Sequence, residues 1–258
     1  DPRSLAELVA CSPYAAGVLR RYPGLLDTAA RVRLAGDAAE EDFLRALRLR
    51  RHAGLVRMLL METTGHARVG EGLIALSALA DELICAALRW SDRLLRERHG
   101  VPRDAGGREA TAGIVAMGKL GGQELNFSSD VDLVFLYSAP GDTDGPRTIS
   151  NEEYFRLLAQ KVVGLLSQTT ADGFAYRVDL RLRPFGDSGP PAVSLPAFEN
   201  YLMQHGRDWE RYAYVKARVV NEWTEAAALH EEILRPFVYR RYLDYGVFEA
   251  LREMKAMI

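Results

Sequence analysis

Residues 113–137 read "GIVAMGKLGGQELNFSSDVDLVFLY", and the reading of this stretch decides the fold. Two apolar runs, "GIVAM" and "VDLVFLY", are rich in Val, Ile, Phe and Tyr and too short for helices, so they predict neighbouring strands. Between them lies a glycine-rich turn, "GKLGG", at 118–122. The second run carries Asp130 and Asp132, which in a strand project to one side while Val131 and Leu133 face the other. Two carboxylates so placed repel each other. Their burial is unfavourable unless a positive charge sits between them, and the usual solution is a divalent metal with oxygen ligands.

A third carboxylate follows in "RVDLRLR" at 177–183, inside a stretch whose period-2 alternation predicts a strand over 174–183. On that strand Arg177, Asp179, Arg181 and Arg183 share one face, and Val178, Leu180 and Leu182 the other. Acids beside arginines are the composition expected for metal-assisted phosphoryl or nucleotidyl transfer, where carboxylates hold one or two Mg²⁺ ions and guanidinium groups balance phosphate oxygens. Direct phosphate contact by the arginines competes with a solvated strand face of Arg–Asp pairs. The glycine turn complements this chemistry. The backbone N–H groups of Gly118, Gly121 and Gly122, with the hydroxyls of Ser128 and Ser129, can approach a phosphate where a side chain would collide, and Lys119 adds charge. The turn is neither GxxxxGK[ST] nor GxGxxG, which sets aside a P-loop and a dinucleotide-binding domain.

Outward from this stretch the pattern is helical. Residues 37–98 are rich in Leu, Ala, Arg and Glu, with Leu73, Leu76, Leu79, Leu83, Ala87, Trp90 and Leu94 at helical spacing, broken by Gly65, Gly70 and Gly72. "HGVPRDAGG" at 99–107 and "SAPGDTDGPRTI" at 138–149 read as loops. Ser150 and Glu153 form a capping-box pattern ahead of a helix. Helices resume from about 196, including "DWERYAYVKARVV" at 208–220 and "EAAALHEEILRPFVYRRYLDY" at 225–245. Asp208, Trp209, Glu210 and Arg211 read as packing plus surface pairing, with Lys216 and Arg218 reaching the site as a lesser alternative. The expected organisation is a helical region at 1–105, a catalytic domain at 106–195 and a second helical region at 196–258. The chain starts at Asp1 and stops at Ile258 within a helix-like pattern, and is expected to be a fragment.

The bulk composition narrows the function classes. A chain of 258 residues that is 48% hydrophobic can bury a substantial core. Thirty-three basic residues against 35 acidic leave no global field that argues for nucleic acid or an anionic membrane. Cys11 and Cys85 lack CxxC spacing, which fits reduced thiols in a cytoplasmic protein, and neither a membrane span nor a signal peptide is evident. His52, His66, His99, His205 and His230 show no metal-ligand spacing. Phe185 and Tyr239 are single aromatics able to stack on a base, without specificity of their own.

With these residues in view, the segment from Gly118 to Leu133 resembles the nucleotidyltransferase signature hG[GS]x(9–13)DhDh, with Asp179 in the place of the third, strand-borne carboxylate. Lys119 stands where that superfamily usually has Ser or Gly. Three longer motifs, "GKLGGQELNFSSDVDLVF", "YRVDLRLRPFGDSGP" and "GRDWERYAYVKAR", are similar to those of the glutamine synthetase adenylyltransferase family, and the resemblance covers roughly residues 40–258. "ELNFSSD" and "RPFGDSGP" look like its N-terminal, adenylyl-removing half. The resemblance implies an α+β nucleotidyltransferase fold, a small mixed sheet flanked by helical regions. It also implies Mg²⁺ or Mn²⁺ on Asp130 and Asp132, and Asp179 as ligand or base, with Arg181 and Arg183 on phosphate. The implied reaction is phosphorolysis of AMP from a glutamine synthetase tyrosine to give ADP, under control of the PII signalling protein. ATP-dependent adenylyl transfer to a protein tyrosine and a non-catalytic nucleotide-binding module are the rivals.

Overall fold

The computed structural model describes residues 2–28, 32–128, 130–239 and Arg252. Helices α1 (Pro2–Cys11), α2 (Pro13–Arg21) and α3 (Leu25–Thr28) precede the long α4 (Glu40–Thr63) and α5 (Val69–His99). Strands β1 (Pro102–Asp104) and β2 (Ala112–Ala116), the single turn α6 (Gly118–Gly121), β3 (Asp130–Tyr137), β4 (Gly141–Thr143) and α7 (Asn151–Ser167) follow. Then come β5 (Arg177–Asp179), β6 (Ala192–Ser194), α8 (Leu195–His205), α9 (Asp208–Tyr214), β7 (Arg218–Val219), α10 (Ala226–Ala228), a π-helical turn at Leu229–Leu234, and α11 (Arg235–Val238). The chain is a mixed α+β fold, as the sequence indicates.

It divides into two compact units, each assembled from three segments. The first comprises Asp1–Arg93, Gln123–Asp130 and Lys161–Val178. Its helices pack α1, α2, α3 and α4 through Leu8, Ala15, Val18, Leu25, Ala53 and Val56. Glu40, Glu41 and Asp42 in the first turn of α4 face the positive end of its helix dipole. Arg48 on α4 is fully buried, and the Asp172 carboxylate acts on it electrostatically. Its guanidinium donates to the carbonyls of Leu44, Leu165, Gln168 and Gly173, so it closes the C-terminal end of α7. Burial lowers its pKa to about 10, still far above neutrality.

The second unit comprises Leu94–Gly122, Val131–Gln160 and Asp179–Ile258 and holds the sheet, in the order β5-β3-β2-β7 with β6 also paired to β3. The two runs that opened the sequence reading are β2 and β3, antiparallel from Ala112 opposite Tyr137 to Ala116 opposite Leu133. β6 runs parallel to β3 over Phe135–Tyr137, which leaves the aspartate end of β3 for β5, since β2 fills the other edge. One face of the sheet buries Val115, Val134 and Leu136 against Phe198, Leu202, Tyr214, Trp223 and Phe237 from the C-terminal helices.

Several expectations need correction. The strand expected over 174–183 ends at Asp179. Asp179 accepts the backbone N–H of Arg181, Arg183 N–H reaches back to the Leu180 carbonyl, and Pro184 has no donor, so the chain turns instead of pairing. The single face shared by Arg177, Asp179, Arg181 and Arg183 therefore does not exist. The helix expected over 208–220 stops at Tyr214, and Arg218–Val219 joins the sheet beside β2, where Ala116 and Val115 need partners. The loops at 99–107 and 138–149 contain β1 and β4, an antiparallel ribbon. Gly65, with φ +69, does end α4, but Gly70 and Gly72 lie inside α5. A Cβ on Gly72 would sit 2.4 Å from Glu62 Oε1, so this glycine serves close helix approach, not a break. The Ser150 cap forms, with Glu153 N–H on Ser150 Oγ at 3.2 Å. Of the helix expected over 225–245, residues 226–238 are helical, and 240–245 lie outside the described residues.

Candidate functional site

At the end of β2 the chain must leave the sheet beside Asp132. Met117 N–H donates to the Asp132 carbonyl at 2.9 Å, and the backbone then turns through Gly118 at φ +56. A Cβ there would stand 2.9 Å from Asp132 Oδ2, so glycine is required both for the left-handed conformation and for the space before the carboxylate. Gly121 is confined by backbone: a Cβ would meet the Lys216 carbonyl at 2.0 Å and the Ala116 carbonyl at 2.6 Å. Arg218 clasps the same turn, donating to Leu120 O at 3.0 Å and Gly121 O at 3.3 Å. Gly122 follows as the C-cap, and Lys119 is exposed on the outside of the turn.

The three aspartates have different surroundings. Asp130, exposed, accepts Arg177 Nε at 2.6 Å on one oxygen and a second guanidinium nitrogen at 3.3 Å on the other. Both partners are more than half exposed, so the pair adds at most about 1 kcal/mol to stability. Ser128 Oγ accepts the Asp130 N–H at 3.3 Å, an entry turn to β3, and Ser129 lies outside the described residues. Asp132 is half-buried. Asp179, at the end of β5, accepts both the backbone N–H and the guanidinium of Arg181, the latter at 2.5 to 3.1 Å. Asp132 also acts on Arg181 electrostatically, so two carboxylates and one guanidinium share this corner of the second unit.

Arg181 holds the Asp179 carboxyl below its ordinary 3.8, its side-chain hydrogen bond being the largest cause. A depressed carboxyl stabilises the folded state above its unfolded pKa and loses that contribution as pH falls through the folded value. Asp179 is accordingly expected to titrate below 3.8, and to move back toward it in Arg181→Gln. Carboxyl-carbon NMR titration measures both; a midpoint at or above 3.8 in the unaltered protein would remove the ion pair from the account.

Arg183 serves the loop. Its guanidinium reaches the carbonyls of Leu180, Asp187 and Gly189 and is largely buried, stapling residues 180–189. Glu210 also departs from the surface pairing expected of it. It is 2% exposed, accepts the Arg207 N–H at 2.9 Å and receives the Tyr201 hydroxyl at 2.7 Å. Its capping position three residues beyond Arg207 was the available signal. Asn221 was not singled out either: its amide bonds Ile114 N–H and Ala112 O, extending the sheet edge with a side chain.

The donors suit a hard divalent cation in kind, being carboxylate oxygens with open space before Asp132 left by Gly118. Among the described residues, no three His, Cys, Asp or Glu side chains are gathered at metal-holding spacing, and arginines close Asp130 and Asp179. A cation would therefore take the place of guanidinium groups at these oxygens. None of the described helices is long and apolar enough to cross a membrane.

A small mixed sheet with a glycine turn feeding a carboxylate-bearing strand defines an α+β domain of the nucleotidyltransferase type. A family model described as glutamate-ammonia ligase adenylyltransferase matches residues 3–233, and the chain belongs to that family. It is 46% identical, over its whole length, to the bifunctional glutamine synthetase adenylyltransferase/adenylyl-removing enzyme of Thioalkalivibrio sulfidiphilus, of which the match covers 28%. The proteins of the same name from Psychromonas ingrahamii and Stenotrophomonas maltophilia are 48% and 43% identical over 83% and 98% of the chain, covering 23% and 28% of those proteins. The chain thus spans about a quarter of the length of these relatives.

Proposed function

We propose that this chain carries the adenylyl-removing reaction: inorganic phosphate attacks the phosphorus of AMP esterified to a glutamine synthetase tyrosine. A phosphate oxygen forms the new P–O bond, the bond to the tyrosine oxygen breaks, and the products are ADP and tyrosine, which takes up a proton. The observation that carries this reading is the Gly118 turn set against Asp132, with Asp179 on the strand beside β3. Asp132 and Asp179, with Asp130 two residues before Asp132 on the same strand, are the residues that would hold Mg²⁺ or Mn²⁺. That ion, when bound, neutralises phosphate oxygens and stabilises the leaving tyrosinate.

The chain's own groups do the rest. Arg181, beside Asp179, would present its guanidinium to the phosphoryl group. Gly118 leaves the space in which phosphate oxygens rest against the turn, while the expected Gly121 and Gly122 amides are held inside it by the Met117 and Gly118 carbonyls; Lys119 adds charge from outside, and Arg218 keeps the turn rigid. Ser128 and Ser129 are further hydroxyl donors by sequence position, and Arg183 acts through the loop it staples. PII is a proposed regulator through the family resemblance alone.

The relatives' shared name carries two activities, so ATP-dependent adenylyl transfer is the alternative reading. Incubation with adenylylated glutamine synthetase, phosphate and Mg²⁺ separates them by product. ADP appearing only with phosphate and the modified protein supports removal. Pyrophosphate released from ATP with unmodified glutamine synthetase, and no phosphate-dependent ADP, would reverse the assignment.

A further inference from the structure

Phe185 lies in the loop that follows Asp179, and its backbone is unusual. It adopts φ +62 and ψ +12, a left-handed conformation that bulky residues rarely take, although glycine occupies the next position. The strain is therefore not for want of a glycine in the loop. The residue is 55% exposed, yet its ring is fixed from below. Tyr201 meets it edge-on with centroids 4.7 Å apart, and His205 lies 5.5 Å away. Tyr201 is itself buried and donates to the buried Glu210 carboxylate at 2.7 Å.

The loop around the ring is closed as tightly. Arg183 binds its carbonyls on both sides, and a Cβ on Gly189 would meet the Pro184 carbonyl at 2.0 Å. On Gly186 the same position is 3.6 Å from the Arg181 carbonyl, so the residue after Phe185 lies against the backbone of the residue that pairs with Asp179. A scattered surface aromatic needs no explanation. A strained one, held on a buried Glu–Tyr support in the loop that leads away from Asp179, does, because strain of this kind persists where the surroundings over-determine it, commonly at ligand clamps.

We infer that Phe185 is the stacking platform for the base of the nucleotide whose phosphates lie at Arg181 and Asp179. The inference rests on the nucleotidyl chemistry proposed above. Stacking makes the ring a substrate-specificity group: it recognises the planar purine, while the charged residues recognise the phosphates.

The test compares ADP, which has the base, with inorganic pyrophosphate, which lacks it, by calorimetric titration of the protein with Mg²⁺ present. Phe185→Ala is expected to weaken ADP by about tenfold, the loss of one base–aromatic stack, and to leave pyrophosphate unchanged. Phe185→Trp is expected to retain ADP. Phe185→Gly removes the strain with the ring, so it should weaken ADP like the alanine variant while its Tm is no lower than that of the unaltered protein. Equal ADP affinity in Phe185→Ala would overturn the inference alone. So would equal loss of ADP and pyrophosphate, which marks a collapsed loop. If the unaltered protein binds neither compound, the nucleotidyl reading itself falls, and this inference with it.

Discussion

Asp132→Asn is expected to lower phosphate-dependent ADP release by about 10³-fold or more while the protein remains folded. The two parts have separate causes. Asparagine is isosteric, so it fits the space that Gly118 leaves and does not touch the 2.9 Å hydrogen bond from Met117 to the residue's own carbonyl. It removes the negative charge that would hold a divalent ion, and such an ion supplies several kcal/mol of charge stabilisation, about a decade in rate for each 1.4 kcal/mol. Single-turnover ADP release, followed beside thermal unfolding, separates chemistry from stability. A variant with an unchanged Tm and near-normal release would sink the carboxylate mechanism. A variant that simply unfolds would show instead that Asp132 is needed to balance Arg181, and Asp132→Ser, which relieves any amide mispairing at that position, would then carry the activity measurement.

How much of this was legible beforehand depends on whether a local pattern had a competitor. The strands at 112–116 and 130–137 were readable because apolar residues alternate or run together with nothing in the side chains able to satisfy the backbone otherwise. "RVDLRLR" has the same alternation and fails beyond Asp179, because Asp179 and Arg183 are themselves good backbone partners and win those N–H and C=O groups from the sheet. "VKARVV" reads as helix by spacing, yet an unpaired edge of β2 recruits Arg218 and Val219, a tertiary demand that no local window contains. At the site, Gly118 and the aspartates were visible as residue types at strand spacing. Which arginine serves which acid was not: the sequence places Arg177, Arg181 and Arg183 alike, whereas they hold Asp130, Asp179 and loop carbonyls respectively.

The buried Arg48 was invisible for a related reason, since a lone arginine in an arginine-rich helix resembles a surface cation. Arg48→Met is expected to destabilise the first unit by about 3 kcal/mol or more, although methionine fills similar volume and removes a buried charge. Replacing a buried ion by an apolar residue is often neutral when its partners leave too. Here they stay. The carbonyls of Leu165 and Gln168 at the end of α7, and those of Leu44 and Gly173, keep their oxygens after the guanidinium is gone. The Leu44 carbonyl has its own helical partner on α4, and the Gly173 carbonyl keeps the N–H and hydroxyl of Thr170, so these two lose little. Each of the others that cannot reach water costs roughly 1–3 kcal/mol, which exceeds what a buried thioether returns. Chemical denaturation should show a lower midpoint, and Tm should fall by roughly 6–12 °C at about 2–4 °C per kcal/mol for a protein of this size. Because α7 leads into β5, the loss should reach Asp179 as well, and amide exchange at 175–178 should quicken before that of β2. A stability change under about 1 kcal/mol would mean that water reaches these carbonyls and that Arg48 is not the cap of α7.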